Sequence, residues 1–438
     1  MRTHVPIWSD TTKLGGRIQF DQLIIIKSAR PRYTRPNLVV HPTKLYVGPD
    51  QIGTYEISEL LAKLPQLDKI VEVHRKIGEG TFSSVYLGSL RRHAALRPAD
   101  KPWFAIKHLV PTAHPARVEH ELRCLRDIGG KENVIGVDLC LRNLDTVVFL
   151  MPYIPHRKFS EYVHEMDAEE VRCYMRALLT ALRHVHSFSV IHRDVKPSNF
   201  LYDRDSHPRR YLLVDFGLAQ RLSSSAPAES SESPPPAPCS TLATRPSPCA
   251  CSGRAGVCGA CWARPGARAP RAGTQGYRPP EVLLKVGAQG PAVDVWASGV
   301  VLASALTARY PFFRAGDDVT ALAELADLLG TRALGAAARA LGRRLVSSSP
   351  RRGLSLRRLA ARLRGAPLSP CAACFRIGMG AACLCPDEGD ATAEGSAAGF
   401  PNEAFSLAAR LLAPDPRRRP TAAEALHDPF LSSPTTPT

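Results

Sequence analysis

One stretch of this chain constrains it more than any other. It reads His192-Arg193-Asp194-Val195-Lys196-Pro197-Ser198-Asn199 and, after one short apolar run, Asp215-Phe216-Gly217. The apolar pair Val190-Ile191 precedes it, and Tyr211 to Val214 reads as a short strand leading into Asp215. An acid, a lysine, an amide and a second acid thus fall at the spacing that phosphoryl transfer uses. That reaction asks for little covalent chemistry from a protein. It needs positioned phosphates, metal ions to neutralise charge, and a group that accepts a hydroxyl proton. Asp194 is expected to be the proton acceptor, Lys196 to neutralise the γ-phosphate, and Asn199 and Asp215 to hold Mg²⁺. His192 is expected to pack and hydrogen-bond.

Upstream, Val71-Glu72-Val73 leads into Ile77-Gly78-Glu79-Gly80-Thr81-Phe82-Ser83-Ser84-Val85-Tyr86-Leu87, which reads strand, tight turn, strand. Glycines let a backbone close over phosphates without a Cβ in the way. Ser83 stands where a third glycine is usual. Ala105-Ile106-Lys107 follows one hairpin later, in the slot of a lysine that contacts the α and β phosphates of ATP. The next helix opens at Pro115, closes at Gly129-Gly130 and carries Glu119 and Glu121. Glu121 is preferred as the acid that pairs with Lys107, because Leu122 and Leu125 set the buried face beside it.

Glu56 to Leu67 has a helical period, with Ile57, Leu60, Leu61 and Leu64 on one face. Val147 to Met151 reads as a strand ended by Pro152-Tyr153. Asp167 and Glu170 stand at capping-box spacing before a helix marked by Val171, Tyr174, Leu178, Leu182 and Val185. Further on, Gly273 to Glu281 fits the end of a segment beside the reacting groups, with Thr274 expected to hydrogen-bond near Asp194. Asp294 opens a buried helix and is expected to cap the backbone of the loop around Asp194. Arg419 is expected to pair with Glu281. Strands early and helices late predict an α+β fold, a small sheet lobe followed by a larger helical lobe, with two inserts.

Those inserts are residues 222–272, rich in Ser, Pro, Ala and Gly, and residues 331–400, mixed in Arg, Ala, Gly and Cys; the first is a poor core-forming composition. In the second, Leu356, Leu359 and Leu363 hint at one amphipathic helix. Each insert holds a cysteine group: Cys249-x-Cys251-x6-Cys258-x2-Cys261 and Cys371-x2-Cys374-x8-Cys383-x-Cys385. Without a signal peptide or an apolar run long enough to span a bilayer, the chain reads as soluble and intracellular, where clustered thiols point to metal rather than disulfides. Zn²⁺ is expected at the first group. The second fits either a metal site or a cluster of free thiols. Cys124, Cys140, Cys173 and Cys239 read as structural or free thiols. The net charge is +17, and residues 331–370 hold ten arginines with no acid and no lysine. That favours acidic partners, among them nucleic acid, or a nuclear address; a solvated helical face is the plainer reading.

Residues 71–220 and 273–430 resemble a protein kinase catalytic domain. Ile77 through Leu87, Lys107-His108-Leu109-Val110-Pro111-Thr112, His192 through Tyr202, Val214 through Gln220, and Tyr310-Pro311-Phe312-Phe313 with Asp317-Asp318 resemble the cell division cycle 7 kinases in particular. The resemblance implies a kinase domain over 71–430 between an N-terminal extension (1–70) and a tail (431–438). It implies ATP bound by Ile77, Gly78, Glu79, Gly80, Thr81, Phe82, Ser83, Ser84, Val85 and Lys107, with Met151 as gatekeeper and Tyr153 in the hinge. It further implies a nuclear serine/threonine kinase that acts on the MCM replicative helicase at acidic or phosphorylated sites, associates indirectly with origin chromatin, and needs a Dbf-four-type regulatory subunit that contacts the first insert. No membrane association is implied. The rival readings are a non-catalytic kinase-fold scaffold, whose signature would be loss of Lys107, Asp194 or Asp215, and a direct DNA-binding protein. None of those three residues is lost.

Overall fold

The computed structural model describes residues 51–80, 82–109, 115–222, 273–367, 371–376, 383–386 and 397–432. They form two compact units, one containing 51–109 and 137–153 and the other 115–136 and 154–432. No helix among the described residues is long and apolar enough to cross a membrane.

The first unit begins with two short helices, α1 (Gln51–Lys63) and α2 (Pro65–Ile70). Five antiparallel strands follow: β1 (Val71–Gly80), β2 (Ser83–Leu90), β3 (Trp103–Leu109), β4 (Leu139–Asn143) and β5 (Thr146–Pro152), in the spatial order β1-β2-β3-β5-β4. Pro65 opens α2, where its missing N–H and fixed φ suit a first turn, and it holds Leu64 outside the helical region at φ −134°. Leu60, Leu64 and Leu67 all point into a core with Tyr86, Ile106, Leu141, Val148 and Leu150. Burying each leucine stabilises this unit by about 2 kcal/mol. Residues 51–70 of the expected N-terminal extension therefore pack within this unit. Helices this short are marginal alone and form because the sheet supplies an apolar face.

Register decides which strand residues face those helices. Gly78 lies opposite Val85, Val85 opposite Lys107, and Lys107 opposite Phe149, while Ala105 lies opposite Met151. Directly opposed residues share a face, and neighbours along a strand alternate. Gly78, Val85, Ala105, Lys107 and Met151 thus occupy the face opposite to the one that Tyr86, Ile106 and Leu150 turn toward α1 and α2.

In the second unit, α3 (Pro115–Asp127) and α4 (Ala168–Ser187) precede two small antiparallel ladders. β6 (Val190–Ile191) pairs with β9 (Gln220–Arg221), and β7 (Phe200–Asp203) pairs with β8 (Arg210–Leu213). Asp167 caps α4 by accepting from the Glu170 N–H at 2.7 Å. Glu170 does not complete a capping box. Its carboxylate accepts instead from Tyr202 Oη and from Arg204. The helix α5 (Ala292–Thr307) is buried from Val293 to Thr307, as its nearly continuous apolar sequence requires. It packs against α4 and α10 (Asn402–Leu411), and a Cβ on Gly299 would stand 2.9 Å from Leu411 Cβ, so only glycine admits this approach.

Helices α6 (Asp318–Leu329), α7 (Thr331–Ala340), α8 (Leu356–Leu363) and α9 (Ala372–Arg376) lie between α5 and α10. The second insert, expected over residues 331–400, contributes helices to the packed interior. Leu334, Ala337 and Ala338 of α7 are buried, and α8 packs against α5 and α10, so both helices belong to the helical core. Their Arg/Ala composition hides this, because small alanines supply the packing surface. The amphipathic pattern of α8 also differs from expectation: Leu363 is exposed, whereas Arg358, Ala360 and Ala361 are buried. Several arginines of 331–370 have structural partners. Arg343 donates to the Leu284 and Lys285 carbonyls, Arg364 to those of Ala305 and Leu306, and Arg351 pairs with Asp327.

Candidate active site

β6 ends at Ile191, and the next residues form a loop whose backbone is tied to α5. Asp294, in the first turn of α5 and 1% exposed, accepts from the N–H groups of His192 (2.8 Å) and Arg193 (2.7 Å) and from His186 Nε2 (2.9 Å). Arg193 has φ 67°, a left-handed conformation that residues other than glycine rarely adopt and that the Asp294 bond helps to hold. Its guanidinium donates to Gln220 (2.9 Å) and Gln289 (2.9 Å), and burial lowers its pKa while Asp294 opposes that shift. His192 is fully buried. Its Nε2 lies 3.1 Å from the Val214 carbonyl and its ring packs edge-on against Phe216.

This loop presents Asp194 in a dense polar network. Its Oδ2 accepts from Asn199 Nδ2 at 2.9 Å and lies 2.8 Å from Lys196 Nζ. Its Oδ1 accepts from the Thr274 hydroxyl at 2.6 Å and the Thr274 N–H at 3.1 Å. Lys196 Nζ also donates to Thr274 Oγ1 at 2.7 Å. A carboxylate held on both oxygens, with an ammonium beside it, can accept a proton from a hydroxyl in a fixed direction. Both donors of the Asn199 amide go to Asp194, one to its carbonyl and one to its carboxylate. That leaves the Asn199 carbonyl oxygen for a cation. An amide oxygen here and the carboxylate of Asp215 are both hard oxygen donors of the kind Mg²⁺ takes.

Asp215 follows β8 and also has a left-handed backbone, φ 69°. Its Oδ1 accepts from the Gly217 N–H at 3.2 Å, and the Gly217 carbonyl accepts from Arg117 Nε of α3 at 2.6 Å. A Cβ on Gly217 would stand 3.1 Å from Asp215 Oδ1 and 3.4 Å from Glu121 Oε2, so glycine keeps this turn close to α3. Glu121 is buried, whereas Glu119 sits toward solvent and pairs with Arg123. In the first unit, Lys107 is buried on β3, Met151 is buried on β5, and the Tyr153 N–H donates to the Trp103 carbonyl at 3.1 Å. Gly78, Glu79 and Gly80 pair across the hairpin with Val85, Ser84 and Ser83; Thr81 lies outside the described residues.

Glu281 and Arg419, 138 residues apart in sequence, form a buried bidentate pair with bonds of 2.6 and 2.8 Å beneath this region. Of the cysteine groups, Cys249, Cys251, Cys258 and Cys261 lie outside the described residues. The second group is gathered: one ligand atom from each of Cys371, Cys374, Cys383 and Cys385 lies within 4.8 Å of the others, a possible metal site. Burial raises the Cys124 thiol to about 11 and the Cys140 thiol to about 12, which makes both structural, unreactive thiols.

Comparison with known proteins is decisive for the family. The protein kinase domain family matches residues 71–237 and 259–431. The chain is 33% identical over 538 aligned residues to the non-specific serine/threonine protein kinase Cdc7 of Drosophila melanogaster, covering 86% of this chain and 76% of the relative. It is 32% identical to the cell division cycle 7-related protein kinase of Homo sapiens, covering 86% of this chain and 92% of the relative. The chain belongs to the Cdc7-related protein kinases. A further relative is the cell cycle serine/threonine-protein kinase hsk1 of Schizosaccharomyces pombe, 34% identical over 63% of this chain and 58% of the relative.

This Cdc7-related kinase is a cell-cycle serine/threonine protein kinase with the two-part α+β architecture of its family, and its domain implies ATP and Mg²⁺. Sequence reasoning missed two of its site residues, Arg117 and Gln289, and gave no role to Gln220 although it ends a quoted motif. Nothing in the local sequence marks the first two. Each of the three contributes by meeting Gly217 or Arg193 across a long sequence separation.

Proposed function

We propose that this chain is the catalytic subunit of a nuclear kinase that starts DNA replication by phosphorylating MCM replicative helicase subunits at acidic or already phosphorylated sites. A Dbf-four-type regulatory subunit completes the active heterodimer, and association with origin chromatin runs through these proteins. A structural zinc on Cys249, Cys251, Cys258 and Cys261 belongs to the same reading.

The observation that carries the catalytic part is the hold on Asp194. Its carboxylate takes the proton of a substrate serine or threonine hydroxyl, directed by Thr274 and Asn199. Lys196, two residues on, neutralises phosphate charge and favours Ser/Thr acceptors. Bound ATP and Mg²⁺ supply the phosphoryl group and spread its charge. Asn199 and Asp215 would hold the metal, Lys107 serves the phosphates, and the Ile77–Val85 hairpin, Met151 and Tyr153 line the nucleotide. The net charge of +17 supports acidic protein substrates.

The test is radiolabelled-ATP turnover on MCM subunits by the chain co-expressed with and without the regulatory subunit. Phosphorylation is expected only in the complex, and Asp215→Ala should reduce it to near background. Unchanged activity in Asp215→Ala rejects the catalytic assignment, and equal activity without the partner rejects the heterodimer. Cytoplasmic retention of the tagged full chain in cells rejects the nuclear location. Salt-sensitive DNA binding by the isolated chain would favour direct DNA contact over protein-mediated association.

A further inference from the structure

The second cysteine group draws on two separate pieces of chain. Cys371 and Cys374 lie at the start of α9, and Cys383 and Cys385 lie on a short segment without regular secondary structure. Their sulfurs converge within 4.8 Å, and all four thiols are free. Cys374 Sγ and Cys385 Sγ are 3.5 Å apart, well beyond the ~2.05 Å of a disulfide. Four thiolates around one Zn²⁺ at about 2.3 Å stand about 3.8 Å from each other, the edge of a tetrahedron. The observed spacing is that of ligands to one ion. An iron–sulfur cluster, with several metal atoms among its thiolates, needs them farther apart.

The surroundings suit a charged metal centre. A zinc ion with four thiolates carries two net negative charges. Arg358 of α8 is only 7% exposed, and its Nη1 lies 3.7 Å from Cys383 Sγ. A buried guanidinium beside a sulfur matches the outer-shell partner that orients and balances a metal thiolate. The backbone is tied as well: the Ser355 N–H donates to the Leu384 carbonyl at 3.1 Å, between two of the cysteines. Cys374 and Cys383 are buried and Cys371 and Cys385 half-buried, so four protein ligands close the site and no position is open for chemistry.

We propose that Cys371, Cys374, Cys383 and Cys385 form a structural tetrathiolate zinc site that fastens the second insert to α8 and so to the helical unit. Residues 364–400 are rich in Ala and Gly and bring few large apolar side chains of their own, which is where a metal staple contributes most. This inference does not rest on the kinase reading.

The test begins with the wild-type full chain purified with zinc supplied. Brief alkylation read by mass spectrometry should leave Cys371 and Cys385 unmodified despite their partial exposure, and metal withdrawal should open both together. Rapid alkylation of these two residues in the zinc-supplied chain overturns the proposal without any variant. Metal analysis then separates the two groups. The variant with Cys249, Cys251, Cys258 and Cys261 all changed to serine should still hold about one zinc per folded chain. No zinc in that folded variant, or iron in its place, overturns the assignment. Cys371→Ser with Cys374→Ser in the otherwise natural chain should lower zinc content by about one equivalent, and unchanged content overturns it equally.

Discussion

Replacing Asp294 with asparagine probes how the catalytic loop is held. The carboxylate accepts three N–H groups, from His192, Arg193 and His186, at 2.7–2.9 Å in a site 1% exposed. Asparagine keeps one acceptor oxygen and puts an NH₂ where the other was. At least one backbone N–H then faces a donor. A hydrogen bond to a charged group contributes about 1.5–3 kcal/mol, and leaving a buried partner unsatisfied costs about 1–3 kcal/mol. The expected loss is therefore about 3–5 kcal/mol, a large fraction of the ~5–15 kcal/mol that holds a domain together. Arg193, at φ 67°, has a conformation that costs about 1–3 kcal/mol and depends on this anchor. Release lets the loop relax and moves Asp194. Urea denaturation of Asp294→Asn should show the stability loss, and kcat should fall at temperatures where the variant is fully folded. The control is Asp327→Asn, whose pair with Arg351 is half exposed and worth under about 1 kcal/mol. A loss in Asp294→Asn no larger than in this control, with kcat unchanged, would refute the anchoring role.

Glu281→Gln should destabilise the helical unit by about 3–5 kcal/mol, because Arg419 stays buried without its carboxylate. A double-mutant cycle with Arg419→Met should give a coupling energy, and a value near zero contradicts the pairing. Thr274→Val should lower kcat more than KM by removing the hydroxyl between Asp194 and Lys196, and Thr274→Ser should restore most of it; equal kinetics for both variants would count against the network. Burial lowers the pKa of His74, His108 and His120 below the usual 6.5. At His108 nearby Lys63 adds to the effect and Glu59 opposes it. The unfolded chain thus binds more protons, so their contribution is complete above the unfolded value and is lost as pH falls through the lowered folded values. Melting temperature should fall between about pH 7 and pH 5, and His108→Gln should flatten that profile; an unchanged slope refutes the assignment to His108.

Local sequence determined the chemistry. The order of Asp194, Lys196, Asn199 and Asp215 is legible because these groups act within one loop–strand–loop unit, whose spacing is set by covalent geometry and two short ladders. The strands and the long helices are legible for the same reason: alternation and helical period record which face is buried. The tertiary structure decided everything that depends on partners far away in the chain. It sank Leu60, Leu64 and Leu67 into the sheet core, drew α7 and α8 out of a segment that reads as insert, and brought Gln220 and Gln289 to Arg193. It also gathered four cysteines that spacing left undecided between a metal site and loose thiols. A helix with no partner surface is marginal, and a thiol with no neighbours binds nothing. Both acquire their character only when the rest of the chain closes around them.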